Sequence, residues 1–459
     1  MFRNRRGSAT LYTIVMLGII AVIALAVMSF VVSQIRYSLS AVHRAAAVHY
    51  ADAGVHYYLW YLAHQTDGKT VQQVESFWSS GTAYGASEPY TQSVGQGKFS
   101  LSVTPPLPGQ TAVTITSRGW REGAEKASRT IRARLRRPSW SEYAALINDN
   151  VRFGDGTEVF GPLHSNGGIR FDGVAHNTVS SARTTYTDPD TGQVKDGVWT
   201  AWSNGYNTTM HSNVFLAGTS FPVTAKDFSG VAADIALMRS TAQDTGTYHS
   251  GGVGQRILLQ GTTYTVQTVA WYNTSSNSIL SLSGSPSTAV IPDNGVIYVE
   301  GHAWVSGTLT NRRLTIVAAR TGAGMGNVYI GNSITYGAYD GTATLGLLAE
   351  GDVEIIRDSQ DDLRIDAALL AQSGRVGRSY YGTYCTQWWW WICLQYATDH
   401  KTRITVYGAI ASNGRYGFAW TDGTGYAQRV IIYDNNLLYA PPPYFPTGTH
   451  YIPDLWEEI

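Results

Sequence analysis

The chain is short of charge: Asp, Glu, Lys and Arg make up 14% of its 459 residues. It has only two cysteines, Cys385 and Cys393, so no disulfide framework runs through the fold. The pair has neither CxxC nor His spacing, which makes a metal site a poor reading. Outside the cytosol, a local Cys385–Cys393 disulfide is the simplest one. Catalytic signatures are missing as well: there is no G-x-S-x-G elbow, H-E-x-x-H helix or Walker loop. "GAGMG" at Gly322–Gly326 lacks the strand-to-helix setting of a dinucleotide site and reads as a turn. The eleven histidines are scattered, and His164 in "GPLHSNGG" has neither a nucleophile nor an orienting partner beside it. Asp358, Asp361, Asp362 and Asp366 cluster in sequence, as carboxylates acting on a polysaccharide would, but a solvated loop explains them equally well. The expectation is therefore a protein that binds rather than catalyses, with no cofactor.

Gly (48) and Tyr (29) are abundant, with 14 Trp, and 44% of residues are hydrophobic. That composition excludes wholesale disorder and favours an extended β architecture in two or three domains. The formal charge of zero hides a split. Residues 1–137 carry 15 basic and 6 acidic side chains, whereas 138–459 carry 18 and 27. A basic stem thus precedes an acidic body.

A short leader containing Arg3, Arg5 and Arg6 precedes an apolar run from Leu11 to Val32. Twenty-two residues at about 1.5 Å each span ~33 Å, enough to cross a bilayer core. The arginines keep the leader cytoplasmic, and no A-x-A-like cleavage site follows directly. Ile35, Leu39, Val42, Ala46, His49 and Ala53 then recur every three or four residues, so the helix continues beyond the bilayer to about Gly68. A plain signal anchor with a soluble ectodomain remains an alternative that topology rules alone do not separate.

The basic leader ending in Gly7, the small residue Ser8, and the apolar stretch running into an amphipathic helix resemble the type IV pilin superfamily. "RRGSATLYTIVMLGIIAVIALAVMSF…AAAVHYADAGVHYYLW" looks most like PilX-type minor pilins and GspK-type tip pseudopilins. The resemblance implies cleavage between Gly7 and Ser8 by a prepilin peptidase, N-methylation of the new terminus, and residence in the bacterial inner membrane before assembly. It implies other pilins as partners and a final place on the pilus at the cell surface. Major pilins carry Glu at the fifth mature position to meet the terminal amine of the subunit above. Here that position is Tyr12. A subunit unable to make this pair fits best at the tip, where nothing sits above it.

The expected organisation is a leader (1–7), a long helix (8–66, spanning the membrane over 11–32) and a pilin-like sheet (67–137). A head (138–440) and a C-terminal tail (441–459) follow. The sheet reads as three strands, Lys98–Thr104, Thr111–Ser117 and Ser128–Arg136. The Arg132, Arg134, Arg136 row reads as a solvated or subunit-pairing face, with phosphate binding as the alternative. The head shows short apolar runs without good hairpin turns, and small residues recur at Ala318, Ala349 and Ala371. These features predict a right-handed parallel β-solenoid, giving an α+β stem followed by a mainly-β head. Residues 177–295, with a helix-like stretch Lys226–Thr245, read as an elaboration. Stem plus solenoid also resembles competence-associated pilins that serve as DNA receptors at the pilus tip.

Two further segments call for a reading. Asp188, Asp190 and Asp196 in "TDPDTGQVKDG" are a candidate Ca2+ loop, although a polar turn is the simpler account. "SYYGTYCTQWWWWICLQY" holds four consecutive Trp. In an extended run either Trp388 and Trp390 or Trp389 and Trp391 point outward. With Arg375, Arg378, Tyr380 and Tyr381 just before them, Trp388, Trp389, Trp390 and Trp391 form a candidate surface for DNA or another ligand. Packing of this loop on the solenoid flank is the equal alternative. The sequence thus points to a tip minor pilin with a recognition head, second to a DNA receptor for natural transformation, and third to a surface polysaccharide-binding protein or lyase.

Overall fold

The structure, a computed structural model, describes residues 6–69, 71–107, 110–202, 213–228, 231–448 and 450–459, and leaves out the side chains of 6–8, 71, 72, 231–234 and Trp388. Leader residues 1–5 lie outside that range.

Helix α1 spans Arg6–Thr66 and ends just before Gly68, whose φ of +69° supplies the left-handed residue that commonly stops a helix. Its most apolar eighteen-residue stretch is entirely uncovered, and large side chains from Leu11 to Val42 stand exposed. From Ala47 onward it packs. Ala47, Ala51, Val55, Tyr58 and Leu62 are buried at spacings of three and four, one stripe of a helix. The expected stripe through Ile35, Leu39, Val42 and His49 is not the packed one, for all four are at least partly exposed at the helix surface. The packed stripe is chosen by backbone approach: a Cβ on Gly119 would lie 2.2 Å from the Ala51 nitrogen and 2.4 Å from the Ala47 carbonyl oxygen. A second helix, α2 (Val71–Ser79), adds Val74 and Trp78 to this core.

The sheet under α1 has five antiparallel strands in the order Tyr90–Val94, Gly97–Thr104, Ala112–Arg121, Arg129–Arg136 and Ile452–Glu458. Two more strands are present than the sequence announces. Tyr90–Val94 is too polar to stand out, and Ile452–Glu458 arrives from the other end of the chain. Residues 441–459 are therefore not simply a tail: the chain leaves the sheet at Arg136, builds the whole body, and returns to complete the same sheet.

The body is mostly β. Val296–Glu300, Arg313–Ala319, Thr344–Ala349, Asp362–Ala371, His400–Ser412, Ala145–Ile147 and Leu163–Ser165 pair in that order, every pair parallel. Ala318, Ala349 and Ala371 occupy the same register. A second parallel ladder runs through Gly254–Gly261, His302–Leu309, Val328–Ile330, Val353–Ile355 and Val376–Arg378. Ile316, Leu347, Leu369 and Ile410 face one core, while Val317, Leu348, Leu370 and Ala411 face another, covered by Trp140, Met238, Leu437 and Phe445. Burial on both faces is why these strands read as unbroken apolar runs.

Residues 177–295 depart from the expected elaboration. Gly254–Gly261 joins the parallel ladder on one side while pairing antiparallel with Thr263–Asn273, which in turn pairs antiparallel with Ser278–Val290. Hairpins are thus part of the body. Helix α3 covers Val231–Thr245, and residues 229–230 of the expected Lys226–Thr245 helix lie outside the described residues.

Candidate recognition surface

Between the rung strand Val376–Arg378 and the strand His400–Ser412, the chain departs into a hairpin, Thr383–Trp389 paired antiparallel with Ile392–Thr398. Among the described residues, this two-stranded sheet pairs with no other strand. The backbone of Trp388 faces Cys393, Trp389 faces Ile392, and Trp390 and Trp391 make the turn. Trp390 takes a φ of +54°, a left-handed backbone rare for a bulky residue, and so reverses the chain. The Cys385–Cys393 disulfide ties the two strands.

Trp389, Trp390 and Trp391 are 61%, 77% and 75% exposed. Strict alternation of outward Trp side chains fails because Trp390 and Trp391 are turn residues, where the period of two no longer applies. The Trp388 side chain lies outside the described residues. Ile392, Leu394 and Tyr396 add further exposed apolar surface on the returning strand. The aromatic rings share no plane: Trp389 and Trp390 meet at 45°, Trp390 and Trp391 at 71°.

Arg378 does something other than face a ligand. It is fully buried at the root of the hairpin, and all five of its donors are used. Nε and one Nη2 hydrogen grip the two oxygens of Asp399 (3.0 and 2.5 Å). The others reach the Arg357 and Ile356 carbonyls and the Ser359 hydroxyl. Arg378 and Asp399 flank the hairpin, so this sealed ion pair clamps its two ends together. The Asp399 backbone N–H, donating to the Gly382 carbonyl at 2.9 Å, closes the loop again. Arg378 is therefore removed from the candidate contact residues. Tyr381 is half-buried beneath the Arg378 guanidinium and belongs to the same root. Tyr380 is exposed and packs edge-on to Trp420.

Arg375 lies 3.7 Å from the buried Glu354 and 5.8 Å from the Trp420 ring. Burial pushes the Glu354 carboxyl up, against the opposing pull of Ser379 and Arg375. Arg375 and Trp420 border a cleft of about 810 Å³ whose lining also includes Arg152, Asp190, Arg415 and Arg429. Three of its four arginines face carboxylates, Arg375 at Glu354 and Arg152 and Arg415 at Asp190, while Arg429 is buried against backbone carbonyls. Arg152 and Arg415 both bond Asp190. Although burial alone would raise the Asp190 carboxyl, Arg415 and then Arg152 hold it below its usual value.

The three aspartates of the candidate Ca2+ loop do not converge. Asp188 is buried and accepts from the backbone and hydroxyl of Thr191, Asp190 is taken by the two arginines, and Asp196 sits in a strand opposite Thr185. Among the described residues no group of three His, Cys, Asp or Glu is placed to hold a metal. The other acidic cluster is dispersed too. Asp358 serves Ser278 and Arg357, Asp361 serves Thr402, and the buried Asp366 serves Tyr336, Tyr339 and Arg364. His164 is not a turn residue but a buried member of the strand Leu163–Ser165, where it bonds Ser180 and Asn166.

On the stem, the arginine row is neutralised within the sheet, running from an exposed Arg132 to a buried Arg136. It faces the acidic row of the returning strand: Arg132 pairs with Glu457, Arg134 and Arg136 with Asp454, and Arg129 with Glu458. Arg136 also reaches Glu142. The charges of the closing "PDLWEE" do not alternate, and they meet "RTIRARLR" across the sheet only through a register shift between Pro453 and Leu455.

No family model matches the chain, and no curated protein matches it. Among solved structures, the competence-associated pilin ComZ from Thermus thermophilus aligns over 91% of this chain and 98% of that one, with 13% identity and a TM-score of 0.29. A superposition that loose establishes neither a common fold nor a common role.

Proposed function

We propose that the chain is a minor subunit of a type IV pilus, assembled from the inner membrane after prepilin peptidase cuts between Gly7 and Ser8. In this reading the parallel-stacked body is a β-solenoid head, carried at the pilus tip and exposed for recognition at the cell surface. The observation that carries it is the division of α1. A plain anchor needs about 20 apolar residues. Here the same unbroken helix continues into a second half moulded onto a sheet through Ala47, Ala51 and Gly119. An uncovered apolar half joined rigidly to a packed half suits a helix that exchanges lipid for neighbouring helices. Tyr12 in place of the acidic residue of major pilins supports a subunit with nothing above it.

Binding rather than catalysis is supported by the dispersed carboxylates of the head. A DNA-receptor role has less support. Arg378 is sealed, and Arg375, Arg152 and Arg415 already face carboxylates, whereas non-specific DNA affinity needs cations free to meet phosphates. Gold labelling of the head on intact cells tests the placement: label at filament ends is expected. Label along the whole shaft, or on the envelope with no filament, contradicts it.

A further inference from the structure

We propose that the Trp hairpin is a membrane-docking tip that inserts its indoles into the interfacial layer of a lipid surface with electrically neutral headgroups. The inference goes beyond filament assembly and holds equally for a fixed anchored protein.

The chemistry starts from charge. The twenty residues Ser379–Thr398 contain no Asp, Glu, Lys, Arg or His. A surface meant for nucleic acid sets cations beside its aromatics, and one meant for anionic lipid carries Lys and Arg. The hairpin's own residues supply neither: Arg378 is spent on Asp399, and Arg357, which stacks over the Tyr384 ring near the base, is paired with Asp358. Shape is the second observation. Successive bases or sugar rings stack on flat platforms, but Trp389, Trp390 and Trp391 are splayed at 45° and 71° around a turn. A convex cluster of non-parallel rings suits a fluid medium that can close around each one.

The third observation is the vertical order of side chains. Three exposed Trp crown the turn, Ile392 and Leu394 follow, and Tyr384 and Tyr396 stand nearer the base. Indoles, with an apolar body and an N–H, favour the headgroup boundary, and aromatic belts form there. Among the described residues, no protein acceptor takes the indole N–H of Trp389, Trp390 or Trp391, which leaves them for lipid carbonyls and water. Finally, the disulfide and the Arg378–Asp399 clamp hold the loop in one shape, so little ordering is required on docking.

The full chain tests this when reconstituted through α1 into phosphatidylcholine donor vesicles and mixed with acceptor vesicles of phosphatidylcholine bearing brominated acyl chains. Capture of acceptors with quenching of Trp fluorescence is expected, unchanged between low and high salt. A W389S/W390S/W391S variant should capture at least tenfold less, with its thermal unfolding unaltered, while W390F/W391F retains most of the capture. Four outcomes overturn the proposal: no capture by the wild type, capture equal in the serine variant, capture that needs anionic lipid and disappears with salt, or hairpin-dependent binding of single-stranded oligonucleotide, oligosaccharide or a second copy with neutral vesicles ignored.

Discussion

Stem and head bury their strands in different ways. In the stem, one face of a five-stranded sheet meets one stripe of α1, through alanines and a glycine that bring two backbones together, and its last strand is held by a ladder of ion pairs. In the head, the parallel strands are covered on both faces by apolar side chains. The contrast teaches where each part gets its stability. The stem packs only the second half of its helix and leaves the first half uncovered.

The largest expected effect lies at the Arg378–Asp399 pair, in which both charged partners are fully buried. Arg378→Ala strands Asp399 in the interior, and breaking a buried pair in this way costs about 3–5 kcal/mol. A large drop in thermal stability and early proteolysis at the hairpin are expected. Arg378→Lys should rescue little, because one ammonium cannot replace five fixed donors. An unchanged melting curve would show that the clamp does not hold the root.

In the stem, Gly119→Val drives a side chain into the Ala47–Ala51 backbone, at a cost of about 1–3 kcal/mol. Proteolysis within the second half of α1 should accelerate while the head's transition stays put. If both parts soften together, they are not separable as argued. The head should also respond to acid. Burial pushes His302 down to about 4 from the ordinary 6.5, with Arg320 adding to the effect, and its Nδ1 accepts from the Asn327 backbone. The unfolded chain therefore takes up the proton first. This contribution to stability is complete above about pH 6.5 and falls as pH drops toward 4. Urea titrations of His302→Gln should lose that part of the slope.

The smallest effects belong to the surface. Glu457→Lys faces Arg132 across the sheet, and exposed pairs contribute about 1 kcal/mol or less. The double swap Arg132→Glu/Glu457→Lys should recover the loss. Trp390→Ser should leave stability within about 0.5 kcal/mol, since the side chain packs on nothing buried.

What was legible follows from locality. The long helix is written in one continuous apolar and then amphipathic run, and the mostly β body in runs whose alanines, Ala318, Ala349 and Ala371, fall into register. Pairings across the chain were not legible from spacing. Arg132 meets Glu457 at a separation of 325 residues, so a row that looked solvated turned out neutralised. Arg378 beside Tyr and Trp looked like a ligand contact because sequence shows neighbours but not burial; the partner that removes it, Asp399, sits on the far side of the hairpin. The packed stripe of α1 was displaced for a similar reason. Hydrophobicity alone favours Ile35, Leu39 and Val42, while the sheet selects small residues opposite Gly119.

The uncovered half of α1 is the centre of the account, and the chemistry of the first residue of the assembled chain tests it most directly. Mass spectrometry of the protein recovered from sheared surface filaments should find a chain beginning at Ser8 with a methylated amine. A chain in that fraction still beginning at Met1 would contradict the account, and α1 would then be a permanent tether rather than a filament helix.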